Sequence, residues 1–130
     1  MVKNEPKMPT ERQLRVGEEV RHVLSDVLLR QDLYDADLAG ALVMITEVKM
    51  SPDFSWATAY VHSIGGQPVQ TVIDALNRNK GIFRKAVGQK IRLRITPDIR
   101  FREDNSFDEA VKIETLLNDP KVKADINKED

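Results

Sequence analysis

Two helical apolar stripes meet out of phase at residues 77–81, so the chain must turn there between two packed helices. Val69, Val72, Ile73 and Leu76 follow one another at i, i+3, i+4 and i+7, and Ile82, Phe83, Ala86, Val87 and Ile91 begin a fresh stripe. The residues between, Asn77, Arg78, Asn79, Lys80 and Gly81, are poor helix interior and end in a glycine. Two helices joined at a kink are expected.

The flanking segments fix what the helices pack on. Thr10 with Gln13 forms a capping-box pattern, and Val16, Val20, Val23, Leu24, Val27 and Leu28 then make one apolar stripe, predicting a helix that ends near Gln31. Residues 32–40 read as a loop of acidic and small residues. ALVMITEVKM (41–50) and FSWATAYVHS (54–63), separated by SPD, predict a hairpin of two strands. In the second strand Ala57, Ala59 and Val61 are expected to face the core. Gly65 and Gly66 break that strand, and Pro68 suits the first turn of the next helix.

After the second stripe the period becomes two. Leu93, Ile95, Ile99 and Phe101 alternate with Arg92, Arg94, Arg100 and Arg102, predicting a third strand that starts near Asp98 because Pro97 interrupts it. Ser106 with Glu109 suggests a capped terminal helix carrying Ala110, Val111, Ile113, Leu116 and Leu117. The order helix-strand-strand-helix-kink-helix-strand predicts an α+β domain, its helices packed on one face of a small three-stranded sheet. Residues 1–9 are expected to be flexible, 10–117 to form the domain, and 118–130 to be a charged, disordered tail.

Charge is segregated along the chain. The net charge is -1, yet residues 78–102 hold nine basic side chains against Asp98 alone, while the segments on both sides are acidic. On a helical wheel Arg84 lies opposite the apolar stripe, Lys80 and Lys85 lie on its flanks, and Lys90 lies nearer the buried edge, where it would have to snorkel. A helix start favours anions, and Gly81 offers no side chain to block a phosphate there. Gly81 as a mere bend is the competing reading, and a solvated charged face is the bland reading of the whole block. Trp56 and Tyr60 can stack on bases, though Trp56 also fits a core or edge anchor.

Other chemistries are poorly supplied. With no cysteine, disulfides, thiol catalysis and cysteine-based zinc sites are excluded. His22 and His62 have no third histidine to complete a metal site, and Ser51 and Asp53 near His62 fit a self-bonded turn better than a nucleophile triad. No phosphate-binding glycine loop is present. The expectation is a non-enzyme with no metal and no cofactor. No apolar run approaches the ~20 residues of a membrane helix, and residues 1–10 lack a secretory core, so a cytoplasmic location is the default.

Three stretches carry a resemblance. RVGEEVRHVLSDVLLR, ITEVKMSPDFSWATAYVHS and GIFRKAVGQKIRLRITPDIRFREDNSFDEA are similar, in order and spacing, to the bacterial ribosome-binding factor A family, over roughly residues 11–117. The resemblance implies a type II KH-like domain with an Ala-x-Gly-type kink in place of the usual GxxG loop; Asn79, Lys80 and Gly81 occupy those positions, and Asn79 departs from the alanine. It further implies a non-enzymatic assembly factor that binds the free small (30S) ribosomal subunit and its 16S ribosomal RNA, assists late maturation including 5′-end processing, and supports growth in the cold; a monomer is the default expectation, which the sequence itself does not decide. The residues expected at the RNA are Arg78, Asn79, Lys80, Gly81, Arg84, Lys85, Lys90, Arg92, Arg94, Arg100 and Arg102. The alternatives are a protein-interaction module that docks its basic face on an acidic partner, and a general single-strand RNA binder of KH type.

Overall fold

The computed structural model describes residues 8–30 and 33–106. Helix α1 (Glu11–Leu29) opens with the expected box: Thr10 Oγ1 accepts from Gln13 N–H at 3.1 Å, and Gln13 Oε1 accepts from Thr10 N–H at 2.9 Å. Its stripe buries Val16, Val20, Leu24 and Val27. Gln13 also donates to the Met50 carbonyl at 3.3 Å, joining the helix start to the sheet. One turn on, a Cβ at Gly17 would lie 2.6 Å from the Val48 carbonyl oxygen, so only a glycine lets α1 come this close to the strand beneath.

Strands β1 (Leu42–Met50) and β2 (Trp56–Ile64) form the hairpin, antiparallel from Leu42↔Ile64 to Met50↔Ala57, with a bulge between Ile45 and Glu47. Ser51 and Asp53 serve the turn. Asp53 Oδ1 accepts from Ser51 Oγ at 2.8 Å and from Ser55 Oγ at 2.7 Å, and Ser51 Oγ accepts from Trp56 N–H at 2.9 Å. These groups bond one another across the turn, as the turn reading requires. Gly65 and Gly66 take positive φ of 74° and 68°, which lets the strand reverse beside Ala41.

Helices α2 (Val69–Arg78) and α3 (Lys80–Lys90) follow, with Asn79 as the single residue between them, and β3 (Asp98–Glu103) pairs parallel to β2. Pro68 stands just outside the first turn of α2, its carbonyl accepting from Val72 N–H at 3.1 Å. The sheet order is β1-β2-β3. The helix-kink-helix crossover returns the chain to the far side of β2, which makes the second pairing parallel. Strand periodicity carries no signal of that direction.

Helices α1, α2 and α3 pack on the same sheet face. Ala57, Ala59, Val61, Ile99 and Phe101 meet Val20, Leu24, Val72, Leu76 and Phe83 there, all at 2% exposure or less. Phe83 and Phe101 contact edge to face at 4.8 Å between ring centres. Asn77 ties α2 to β3 by a reciprocal pair, donating to the Phe101 carbonyl at 3.1 Å and accepting from Phe101 N–H at 2.8 Å.

The period-two segment divides at Pro97. Residues 98–103 form the strand, whereas 91–97 run unpaired to it; Ile91 and Leu93 still pack on the core, but Ile95 is 68% exposed. Lys90 is exposed on the last turn of α3 instead of snorkelling past a buried edge. The expectations for residues 1–7, for the helix after Ser106 with its Glu109 cap, and for the tail lie outside the described residues.

Candidate nucleic-acid interface

The residues expected at the RNA occupy three settings. At the kink, Arg78 is held by the acidic loop: its guanidinium reaches Asp35 at 2.8 Å and Asp37 at 3.1 Å. Asp35 sits at the start of a 3-10 turn (Ala36–Leu38) and also accepts from Asn79 Nδ2 at 2.9 Å. The hydrogen bond from Arg78, followed by that from the Asp37 N–H, holds the Asp35 carboxyl below the ordinary carboxylate range. Asn79 Nδ2 also donates to the Ala75 carbonyl at 2.8 Å, so its amide clamps the end of α2 to the acidic loop. Arg78 and Asn79 thus serve the kink from within.

One residue further, the surface opens. The first turn of α3 has no acidic residue and no side-chain cap, and a Cβ at Gly81 would meet nothing within 4 Å. Helical spacing puts Lys85 one turn above Gly81 and Arg84 one turn above Lys80. Lys80, Gly81, Arg84 and Lys85 are all exposed. Arg84 leans along the following segment, donating to the Thr96 carbonyl at 3.2 Å and standing 3.5 Å from Asp98. Beside Lys85 lies a shallow, open depression of about 260 Å³, lined by Val27, Arg30, Ile82, Ala86 and Gln89. Lys90, Arg92 and Arg94 continue the exposed cations along the end of α3 and the segment after it.

Arg100 and Arg102 are elsewhere. They alternate with the buried Ile99 and Phe101, and so project from the sheet face that no helix covers among the described residues. The basic block read as one surface is therefore split between the helix layer and the opposite side of the sheet. Among the described residues, Lys80, Lys85, Lys90, Arg92, Arg94 and Arg102 have no acidic partner within ion-pair distance. That leaves their charge available to a polyanion.

Two features were not read from the sequence. Asp35 and Asp37 looked like ordinary loop residues, and only the fold brings them to Arg78, 43 and 41 positions away. Thr46, the extra residue of the bulge, donates to Asp104 at 2.5 Å from the far side of the sheet. Neither pairing has a local spacing signature. The histidines gather no metal donors: among the described residues no group of three His, Asp or Glu side chains is placed to hold an ion.

Comparison with known proteins agrees with this architecture. Ribosome-binding factor A of Bradyrhizobium diazoefficiens is 47% identical over 120 residues, spanning 92% of this chain and 83% of that one. The crystal structure of ribosome-binding factor A from Thermus thermophilus superposes with a TM-score of 0.63 at 21% identity, over 72% of this chain and 97% of the other. Coordinates of the Thermus thermophilus factor, as fitted into the cryo-EM map of a 30S complex containing it, give 0.58 at 22% identity, over 72% and 96%. This chain shares the KH-like α+β fold of those neighbours. With the family model for ribosome-binding factor A matching residues 12–117, the chain belongs to the ribosome-binding factor A family.

Proposed function

We propose that this protein binds the free small ribosomal subunit through its 16S ribosomal RNA and assists late maturation of the subunit, including processing of the 5′ end of that RNA. The observation that carries the reading is the open start of α3, where Gly81 leaves the backbone bare between Lys80 and Lys85 and nothing else in the described chain fills the space. A helix start flanked by two lysines with no acidic partner among the described residues suits phosphate oxygens, and Lys90, Arg92 and Arg94 extend the same attraction beyond it. Family membership supports a ribosomal target, as does the 30S complex of the Thermus relative. Phosphate contacts would supply affinity, and the shape of the folded subunit selectivity.

The test is quantitative binding to purified small subunits over a salt series. Lys80→Ala with Lys85→Ala should weaken binding and reduce the slope of log affinity against log salt by about 2, roughly one per phosphate contact removed. An unchanged slope would dismiss α3 as the contact. Survival of the association after nuclease digestion of the RNA would favour docking on an acidic protein.

A further inference from the structure

The sheet face turned away from the helices carries its own ordered array. Lys49, Thr58 and Arg100 stand directly across from one another on the three strands. Trp56 and Tyr60 flank Thr58 on β2, two residues to either side, about 13 Å apart by strand geometry. Each ring has a cation over it: Arg100 lies 5.1 Å from the centre of Trp56, and Lys49 lies 5.4 Å from that of Tyr60. Arg100 Nε donates to Thr58 Oγ1 at 2.8 Å, tying the guanidinium to the neighbouring strand, and the threonine is 7% exposed. Trp56 itself remains 40% exposed. In the next row Arg102 lies beside Tyr60 with Glu47 opposite, and in the row before Thr58 Asp98 stands beside Trp56, so three cations face two acids.

We propose that this face is a second RNA-contacting surface, on which a single-stranded segment lies with bases against the Trp56 and Tyr60 rings and phosphates against Lys49, Arg100 and Arg102. The inference rests on the RNA-binding reading above and adds a contact on the opposite side of the molecule, so that the protein touches two RNA segments at once. The chemistry favours RNA over other occupants. Aromatic rings interleaved with cations on an open sheet are how sheet-based modules hold unpaired bases. A second copy of the same face would set Lys49, Arg100 and Arg102 against like charges. The array lies outside the helix layer and shares no residue with the cluster around the start of α3.

Trp56 is the chain's only tryptophan, so its fluorescence reports occupancy of this face directly. The experiment titrates the full chain with a single-stranded oligouridylate of about ten nucleotides, within the site size of single-strand binders. Quenching of Trp56 is expected. Tyr60→Ala should weaken the titrated affinity about 5- to 100-fold, Tyr60→Phe should restore it, and Lys49→Glu should weaken it with both rings still present. Circular dichroism of each variant separates loss of binding from loss of fold. Lys80→Ala with Lys85→Ala should leave the quenching in place while weakening small-subunit binding. No quenching, or equal affinity in Tyr60→Ala and the parent, overturns the proposal. Quenching by polyglutamate as strong as by oligouridylate overturns it in favour of an acidic peptide. If the oligonucleotide fails but subunits still bind in a salt-dependent manner, the sheet contact falls and the α3 reading stands; if neither binds, both fall.

Discussion

Gly81→Ala and Gly17→Ala are the same chemical change in two helices of this protein, and the structure assigns them opposite signs. At position 81 an added methyl meets nothing within 4 Å, and the backbone angle is an ordinary helical one. The fold gains alanine's lower conformational entropy cost, about 0.5 kcal/mol at a helix start, the low end of the glycine-to-alanine range. For a domain of this size that raises the melting temperature by about 2 °C. At position 17 the methyl sits 2.6 Å from the Val48 carbonyl oxygen, backbone that cannot rotate aside, so α1 must lift from β1. Such overpacking costs at least about 1 kcal/mol, and melting should fall by about 4 °C or more. Binding to small subunits should follow the reverse order. The methyl at 81 stands where a phosphate oxygen would approach the helix start, and losing one charge-assisted hydrogen bond, about 1.5 kcal/mol, weakens affinity roughly tenfold. Thermal melting by circular dichroism and equilibrium binding read both quantities on the same samples. A destabilised Gly81→Ala would refute the steric reading of the kink. A stabilised variant with unchanged affinity would show that the bare backbone serves no ligand.

Four further outcomes are expected. Asn77→Ala should cost about 1–3 kcal/mol, since both polar backbone groups of Phe101 lose their partner; denaturant unfolding measures it, and a change below about half a kilocalorie would mean water replaces the amide. Phe83→Ala should cost about 3–5 kcal/mol in the same assay, because the ring is fully buried against Phe101. The Asp53 carboxyl is drawn from 3.8 to about 2 by hydrogen bonds from Ser55 and then Ser51. A depressed folded value means that its contribution is complete above the ordinary carboxylate range and is lost as pH falls from about 4 toward 2; an NMR titration of Asp53 midway at its ordinary value would contradict this. Arg78→Ala should weaken small-subunit binding less than Lys85→Ala does, because Arg78 already satisfies Asp35 and Asp37; equal losses would return Arg78 to the RNA.

Much of this was legible because periodicity reports burial directly. The α1 stripe, the Ala57-Ala59-Val61 set and the phase break at residues 77–81 each mark which side of an element meets the core, and the elements formed where those patterns lie. Charge does not report geometry in the same way. The block at 78–102 reads as one run along the chain, yet strand alternation sends Arg100 and Arg102 away from the helices, and Asp35 neutralises Arg78 across 43 residues. Asn79 illustrates the limit best. Its side chain spans the Ala75 carbonyl and Asp35, a bond that exists only once the acidic loop has folded against α2. Similarly, Ile95 fits the apolar alternation but lies in a segment with no strand partner among the described residues, which leave it 68% exposed.

In the proposed function, Lys80 and Lys85 at the start of α3 hold this protein on the small ribosomal subunit. Sucrose-gradient sedimentation of cell extract at low and high salt, with the parent chain and the Lys80→Ala, Lys85→Ala variant run in parallel, decides whether they do. The parent should migrate with free small subunits at low salt and leave them at high salt, while the variant should stay at the top of the gradient at salt concentrations where the parent is bound. A parent that remains at the top under both conditions, or a variant that co-migrates as fully as the parent, would contradict the claim.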